Sequence, residues 1–231
     1  MERGAILRIL ENRLLRRYLR GSGIEIGALW RRFPVSSRAR AWYVDRMTRR
    51  ELEEHYPELK GRILEPNLVA DATQLPVPPG SLNFLIASHV LEHLPFPLAA
   101  LRAWYEALAP NGALLLKVPD KRYTFDAKRS RTPLARLIVE YGCPDALNLR
   151  AHYSDWSENV GGMSPGSTEF EQDVEALMRQ KYSIHFNVWT DDDVWEMIDF
   201  TRNRWGLRWH PAVFWRSRFY RKEVTAVLLR Q

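Results

Sequence analysis

Apolar positions fall in short runs that end in polar residues, at Gly23 to Gly27, Trp42 to Asp45, Asn67 to Asp71, Leu82 to Ser88 and Ala113 to Pro119. Short apolar runs of this kind read as strands. Helix-length stretches lie between them, clearest at Arg49 to Tyr56 and Pro97 to Ala109, the second stopped by Pro110-Asn111-Gly112. Strand and helix alternating in this way within the first 120 residues predict parallel βα units in a doubly wound sheet. From residue 126 to 184 the repeat breaks off, leaving two helical stretches, Thr132 to Tyr141 and Glu169 to Lys181, among glycines and charges. This reads as an insertion after the fifth strand, which must lie over the C-terminal edge of the sheet because that strand ends there. Regularity returns at Thr190 to Trp205, where Thr190 caps a helix opened by Asp191, Asp192 and Asp193, acids that suit the helix dipole. Leu207 to Phe214 and Val224 to Leu229 read as two closing strands.

Residues 1–20 form a separate amphipathic N-terminal helix in this reading. Ile6, Leu7, Leu10, Leu14 and Tyr18 share one face, while Arg3, Arg8, Arg13, Arg16, Arg17 and Arg20 lie mostly around the other, and Gly21-Ser22-Gly23 ends it. Such a helix either packs on the domain as its first element or lies on a membrane surface or a partner protein. The net charge of +6 rests on 34 Lys and Arg, only six of them Lys. Arginine suits phosphates and carboxylates, but the charge is spread along the chain rather than gathered in a stripe, so no nucleic-acid partner is expected. A hydrophobic fraction of 45% excludes a disordered chain. The lone Cys143 excludes an intrachain disulfide and any Cys-rich zinc module. No apolar run reaches the roughly 18 residues of a membrane span, and the start lacks a secretory leader, so the expected compartment is the cytoplasm.

The first strand delivers Glu25 and Gly27 to its C-terminal end, the edge where open α/β sheets bind ligands. Asp45 ends the second strand, where a carboxylate can accept both hydroxyls of a ribose; otherwise it caps the following helix. No Gly-x-Gly-x-x-Gly cradle follows the first strand, because Gly21-Ser22-Gly23 precedes it, which argues against a nicotinamide enzyme. Further on come Asp71-Ala72, Leu75-Pro76, Val90-Leu91-Glu92-His93-Leu94 and Leu108-Ala109-Pro110-Asn111-Gly112-Ala113-Leu114-Leu115-Leu116. In this order they resemble the class I S-adenosylmethionine-dependent methyltransferases, in the branch with many small-molecule methylating enzymes. The resemblance spans about residues 21–120 and again 190–230. It implies a single domain over 1–231 with a Rossmann-like, seven-stranded, doubly wound α/β sheet whose last strand is antiparallel, and a helical lid at 126–184.

The resemblance also implies S-adenosylmethionine as cofactor. Glu25 and Gly27, with Ala28, would shape the loop under its methionine part. Asp45, with Arg46 beside it, would hold the ribose, Asp71 and Ala72 the adenine, and Ser88 and His89 would line the site from the fourth strand. The family usually has more glycines in the first loop, where this chain has Ala28-Leu29-Trp30-Arg31-Arg32. There Arg31 or Arg32 either pairs the methionine carboxylate or is solvated.

Methyl transfer needs acceptor and methyl group held in line, and a hydroxyl acceptor must also lose a proton. The candidate bases are His152, with Asp155 nearby to orient it, His185 and His93, with His210 further down. The run His89-x-x-Glu92-His93 has a spacing able to present ligands, but it is read as an ordinary helix start and no metal is expected. Lys121, Arg122 and Tyr123 lead into the insertion and are expected at the acceptor site or lid. The run Pro119-Asp120-Lys121-Arg122-Tyr123-Thr124-Phe125-Asp126 is similar to one in bacterial methyltransferases associated with glycosyltransferases and surface polysaccharide assembly. That implies O-methylation of a sugar, nucleotide-sugar or glycan, with the N-terminal helix as a contact to membrane or glycosyltransferase. The alternatives are an RNA or protein methyltransferase, which would want a binding module or an Asn-Pro-Pro-Tyr-like motif that this chain lacks, and an inactive cofactor-binding partner.

Overall fold

Parallel strands β1 (Gly21–Ile26), β2 (Ala39–Asp45), β3 (Leu68–Val69), β4 (Leu82–Ser88) and β5 (Leu108–Pro119) open the sheet of this computed structural model, which describes residues 3–231 and, in the first helix, side chains from residue 9 on. Strands β6 (Trp209–Trp215) and β7 (Glu223–Arg230) close it, in the order β3-β2-β1-β4-β5-β7-β6. Only β7 runs antiparallel to its neighbours β5 and β6. The seven-stranded Rossmann-like sheet with an antiparallel last strand is therefore as expected. β4 and β5 are buried on both faces, which is why their sequences are unbroken aliphatic runs. β1 can lie this close to β4 because Gly23 faces Phe84, and a Cβ there would collide with the Phe84 carbonyl.

One face is covered by α3 (Pro97–Ala107), α4 (Leu134–Gly142) and α7 (Asp191–Trp205), whose Leu98, Leu101, Trp104, Leu137, Val194 and Ile198 join the main core. Asp193 accepts both the N–H (2.8 Å) and the hydroxyl (2.7 Å) of Thr190, so α7 starts where expected. The other face is covered by α1 (Arg3–Leu15) and the 3-10 turn after it, through Leu15 and Leu19 packed with Phe84, Ile86, Leu115 and Val227. This corrects the expected face of the N-terminal helix: Leu10 and Leu14 are exposed together with Ile9, and only Tyr18 of the expected stripe within the described side chains packs inward. The tighter turn at Arg16–Tyr18 rotates Leu15 and Leu19 onto the sheet. Met1 and Glu2 lie outside the described residues.

Pro110-Asn111-Gly112, expected as a turn, is absorbed into β5, where Asn111 takes a left-handed φ of 64° and the pairing with β4 shifts register. The insertion contains a third helix that the sequence pattern did not mark, α5 (Leu149–Asn159), between α4 and α6 (Thr168–Gln180). α5 and α6 share a small core of their own, built on Tyr153, Phe170, Val174, Ile184 and Phe186, whereas α4 belongs to the layer on the sheet. The segment after α6 ties this unit down: the Asn187 N–H donates to the Glu92 carbonyl (3.2 Å) and its side chain to the Leu94 carbonyl (2.8 Å).

Candidate active site

The residues that follow β1, β2, β3 and β4 at one edge of the sheet enclose a cavity of about 450 Å³. Strand order reverses between β1 and β4, so the cavity sits at the topological switch point. Of the expected cofactor residues, Gly27, Asp45, Arg46, Asp71, Ala72 and His89 line it. Gly27 has φ 65°, and a Cβ there would stand 2.9 Å from Val90 Cγ2, so glycine is what lets the chain leave β1 without closing the cavity.

Asp45 is buried; its Oδ1 accepts the Arg46 N–H at 2.8 Å and its Oδ2 the Tyr43 hydroxyl. Burial raises its carboxyl above the ordinary value. A carboxylate has about four acceptor positions, so capacity remains for a ligand hydroxyl. Tyr43 also accepts the Leu29 N–H (3.0 Å), tying the loop after β1 to the end of β2. Sequence reasoning passed over Tyr43, although its place two residues before Asp45 puts both side chains on one face of the strand. Asp71 Oδ1 accepts the Thr73 N–H (2.7 Å) and hydroxyl (2.5 Å), and the Ala72 carbonyl accepts the Trp104 indole N–H (2.8 Å).

Glu25, Ala28 and Ser88 are not among the lining residues. Glu25 is buried beneath the loop: Oε1 accepts the Phe33 N–H at 2.6 Å, Oε2 has no partner, and burial pushes its carboxyl up to about 7. The Ala28 carbonyl accepts the Arg31 N–H at 2.9 Å, and Ser88 pairs in register with Lys117 of β5. Arg32 is held by Asn67 (2.9 Å), while Arg31 is exposed.

His89 adopts a left-handed φ of 55°, an uncommon conformation for a side chain with a Cβ. Its Nε2 lies 2.7 Å from Glu223 Oε2, and its Nδ1 lies 3.5 Å from Glu92 Oε1. Burial opposes its charge, but Glu223 and Glu92 outweigh burial and push the imidazole up to about 10. His89 is therefore a cation in the cavity wall, beside Arg46 and Lys181.

The opposite wall comes from the insertion, through Tyr153 of α5, Met178 of α6, and Lys181, Ser183 and Phe186 beyond it. His55 of α2 (Arg49–His55) latches this wall: its Nε2 accepts the Ser183 N–H (3.3 Å) and lies 3.1 Å from Arg46 Nη2, and its ring stacks on Tyr182. Accepting both contacts requires a neutral ring, and burial and Arg46 lower His55 below its ordinary value.

The three candidate bases separate. His93 lines the cavity, with Nδ1 3.0 Å from the Ile184 carbonyl and 3.2 Å from the Ser183 hydroxyl, and burial lowers it below its ordinary value. His185 stands edge-on behind it, ring centroids 4.6 Å apart, with Nδ1 2.7 Å from Asp126 Oδ2. Asp126 is fixed by the buried Arg129, which also reaches Asp155 (2.6 Å) and the His185 carbonyl (2.8 Å). His152 does not reach the cavity, which corrects its place as a candidate base: it opens on a separate cleft of about 310 Å³ with Arg129 and Arg136. Its Nδ1 bonds the Phe186 carbonyl (2.9 Å), burial and Arg136 push it down to about 4, and Asp155, expected to orient it, is taken by Arg129. His210 is exposed on β6.

Lys121, Arg122 and Tyr123 are a second correction, since none of them lines the cavity. The fully buried carboxylate of Asp120 draws Arg122 inward, where it also meets Asp191 and Ser217. Arg122 thereby clamps the end of β5 to the start of α7, and Lys121 is spent on the Ala127 carbonyl (2.8 Å).

A family profile described as a methyltransferase domain matches residues 8–163. No curated protein matches the chain. Among solved structures, the chain is similar to a SAM-dependent methyltransferase from Aquifex aeolicus, at 10% identity over all of both chains with a TM-score of 0.50. It is similar to a protein of Pyrococcus horikoshii at 13% identity, over 100% of this chain and 92% of that one, TM-score 0.50. It is also similar to a Rhodobacter sphaeroides protein provisionally described as a Zn-dependent alcohol dehydrogenase, at 15% identity, over 96% of this chain and 90% of that one, TM-score 0.56. At these identities the likeness is one of fold.

Proposed function

The chain belongs to the methyltransferase-domain family, and from that premise we propose that it transfers a methyl group from S-adenosylmethionine to a hydroxyl of a sugar, nucleotide-sugar or glycan. The observation that carries this reading is the cavity at the switch point, lined by Asp45, Asp71 and His93, with His185 edge-on against His93. The residues fit the cofactor. Asp45 lines the cavity and suits the ribose, Asp71 and Ala72 line it and suit the adenine, and Gly27 leaves the room that a Cβ would take from Val90. When bound, the cofactor supplies a sulfonium methyl group that an acceptor oxygen takes in an in-line displacement, leaving S-adenosylhomocysteine.

This chain's residues bind, orient and exclude water. The insertion wall, latched by His55, covers the cavity, and Tyr153, Phe186 and Tyr56 give it aromatic faces of the kind that stack on sugar rings. Arg46 and Lys181 add positive charge suited to an acidic group, which favours a nucleotide-sugar phosphate among these acceptors. The histidine cluster handles the hydroxyl proton, with His93 facing the cavity and His185 held in one tautomer by Asp126. The test is methyl transfer from labelled S-adenosylmethionine to a panel of sugars and nucleotide-sugars. Transfer that is lost in His93→Ala is expected; cofactor binding with transfer to none of the panel would overturn the acceptor class.

A contact to an anionic membrane surface through the N-terminal helix belongs to the same reading. It is supported by exposed Ile9, Leu10 and Leu14 beside exposed Arg13, Arg16 and Arg17. Among the described residues no helix is long and apolar enough to cross a membrane.

A further inference from the structure

Behind His93 lies a carboxylate that is almost entirely buried and has no hydrogen bond. Glu92 is 1% exposed, neither of its oxygens has a hydrogen-bond partner, and its nearest charge is His89, 3.5 Å from Oε1 in a poor hydrogen-bonding direction. A charge taken from water and left unbonded is costly, and such groups are kept where they pair with ions or coordinate metals. Two imidazoles stand against it. Each has its Nδ1 committed, that of His93 to the Ile184 carbonyl at 3.0 Å and that of His185 to Asp126 at 2.7 Å. A ring that donates through Nδ1 carries its lone pair on Nε2, so both rings are set in a ligating tautomer. Carbonyl and carboxylate partners on the far nitrogen are what metal-bound histidines have. One donor atom from each of Glu92, His93 and His185 lies within 4.8 Å of the other two.

We propose that Glu92, His93 and His185 bind a divalent transition-metal ion at the acceptor end of the cavity. Two imidazoles and one carboxylate suit zinc and its first-row neighbours rather than magnesium or calcium, which take oxygen ligands. Three protein ligands leave a position open, and His93 is the one of the three that lines the cavity. The ion's role rests on the function proposed above and its binding does not: bound there, it would hold the acceptor hydroxyl and acidify it so that its proton passes to solvent water, in place of transfer to the His93 imidazole. The sequence reading of His89-x-x-Glu92-His93 expected no metal, because the third ligand, His185, comes from the far end of the insertion, brought in by Arg129 on its carbonyl and by Asn187 on Glu92 and Leu94.

The test is titration of the metal-stripped full chain with Zn²⁺ against a chromophoric chelator, and with Co²⁺ followed by its visible absorption. One ion per chain is expected, with binding abolished in Glu92→Gln and His185→Gln and weakened about 10–100-fold in Asp126→Asn, which replaces the carboxylate that orients His185 and also pairs with Arg129, so its fold is checked alongside. Glu92→Gln removes a buried charge that accepts no hydrogen bond and leaves His89 paired with Glu223 at 2.7 Å, so it is expected to fold, and circular dichroism without metal checks this. Absence of saturable Zn²⁺ and Co²⁺ binding, or equal affinity in wild type and both ligand variants, would overturn the site. Parallel titration with S-adenosylmethionine separates the two readings: cofactor binding without zinc binding defeats the metal site alone, and zinc binding without cofactor binding defeats the methyl-donor reading and leaves the metal site standing.

Discussion

Asp45 carries the cofactor assignment at the level of single residues, because it is a buried carboxylate that lines the cavity. Asp45→Ala should weaken S-adenosylmethionine binding by about 1–3 kcal/mol, the usual loss for a hydrogen bond to a charged group. Calorimetry on the folded variant reads this directly, and unchanged affinity would remove the ribose assignment. Arg122 carries the opposite expectation. Arg122→Ala strips the buried Asp120 of its cation and should cost about 2–3 kcal/mol of stability, less than a fully buried pair because the guanidinium is half-exposed. Urea unfolding measures the loss, and the acceptor KM should not move, since Arg122 lies outside the cavity. His152 makes a pH prediction. Its folded value of about 4 lies below the ordinary 6.5, so the unfolded chain takes up the proton first as pH falls. Its contribution is complete above about pH 6.5 and is lost progressively down to about pH 4, about 3 kcal/mol in all. His152→Gln should flatten that part of the stability profile; a slope identical to wild type would contradict the assignment.

Among elements, the central strands were legible because β4 and β5 are buried on both faces and leave aliphatic runs between turns, whereas β3 is only two exposed residues, Leu68 and Val69. The helix at the N-terminus was legible as a helix but not in its orientation, since an Arg-rich sequence with leucines on several sides permits more than one face and the sheet selected Leu15 and Leu19. The face left outside is the basis of a prediction: Ile9→Ser, Leu10→Ser and Leu14→Ser together should abolish co-sedimentation with anionic vesicles without lowering the melting temperature. Retained co-sedimentation would place any membrane contact elsewhere. α5 escaped the sequence reading because its buried side is made of His152, Tyr153 and Ser157 rather than aliphatic residues. The two polar members are satisfied by the Phe186 carbonyl and Asp173. Pro110-Asn111-Gly112 misled in the other direction, since a turn tripeptide was accommodated inside a strand by one left-handed residue.

For the whole molecule, legibility followed chain distance. Gly27, Asp45, Asp71 and His89 stand at or just past the ends of successive strands, so fold class alone brings them together. The cluster of Glu92, His93 and His185 joins the short 3-10 turn after β4 to the far end of an insertion, and its positioning groups are Asp126 and Arg129 from the start of that insertion and Asn187, two residues past His185. No spacing rule reports such a contact, and for the same reason Lys121 and Arg122, adjacent to the insertion in sequence, looked nearer to the acceptor than they are. The central claim is that the cavity at the switch point holds S-adenosylmethionine. Calorimetric titration of the metal-stripped protein with S-adenosylmethionine and S-adenosylhomocysteine, with NAD as control, tests it most directly. Micromolar binding of the first two and none of NAD is the predicted result; binding of neither, or of NAD alone, would contradict the account.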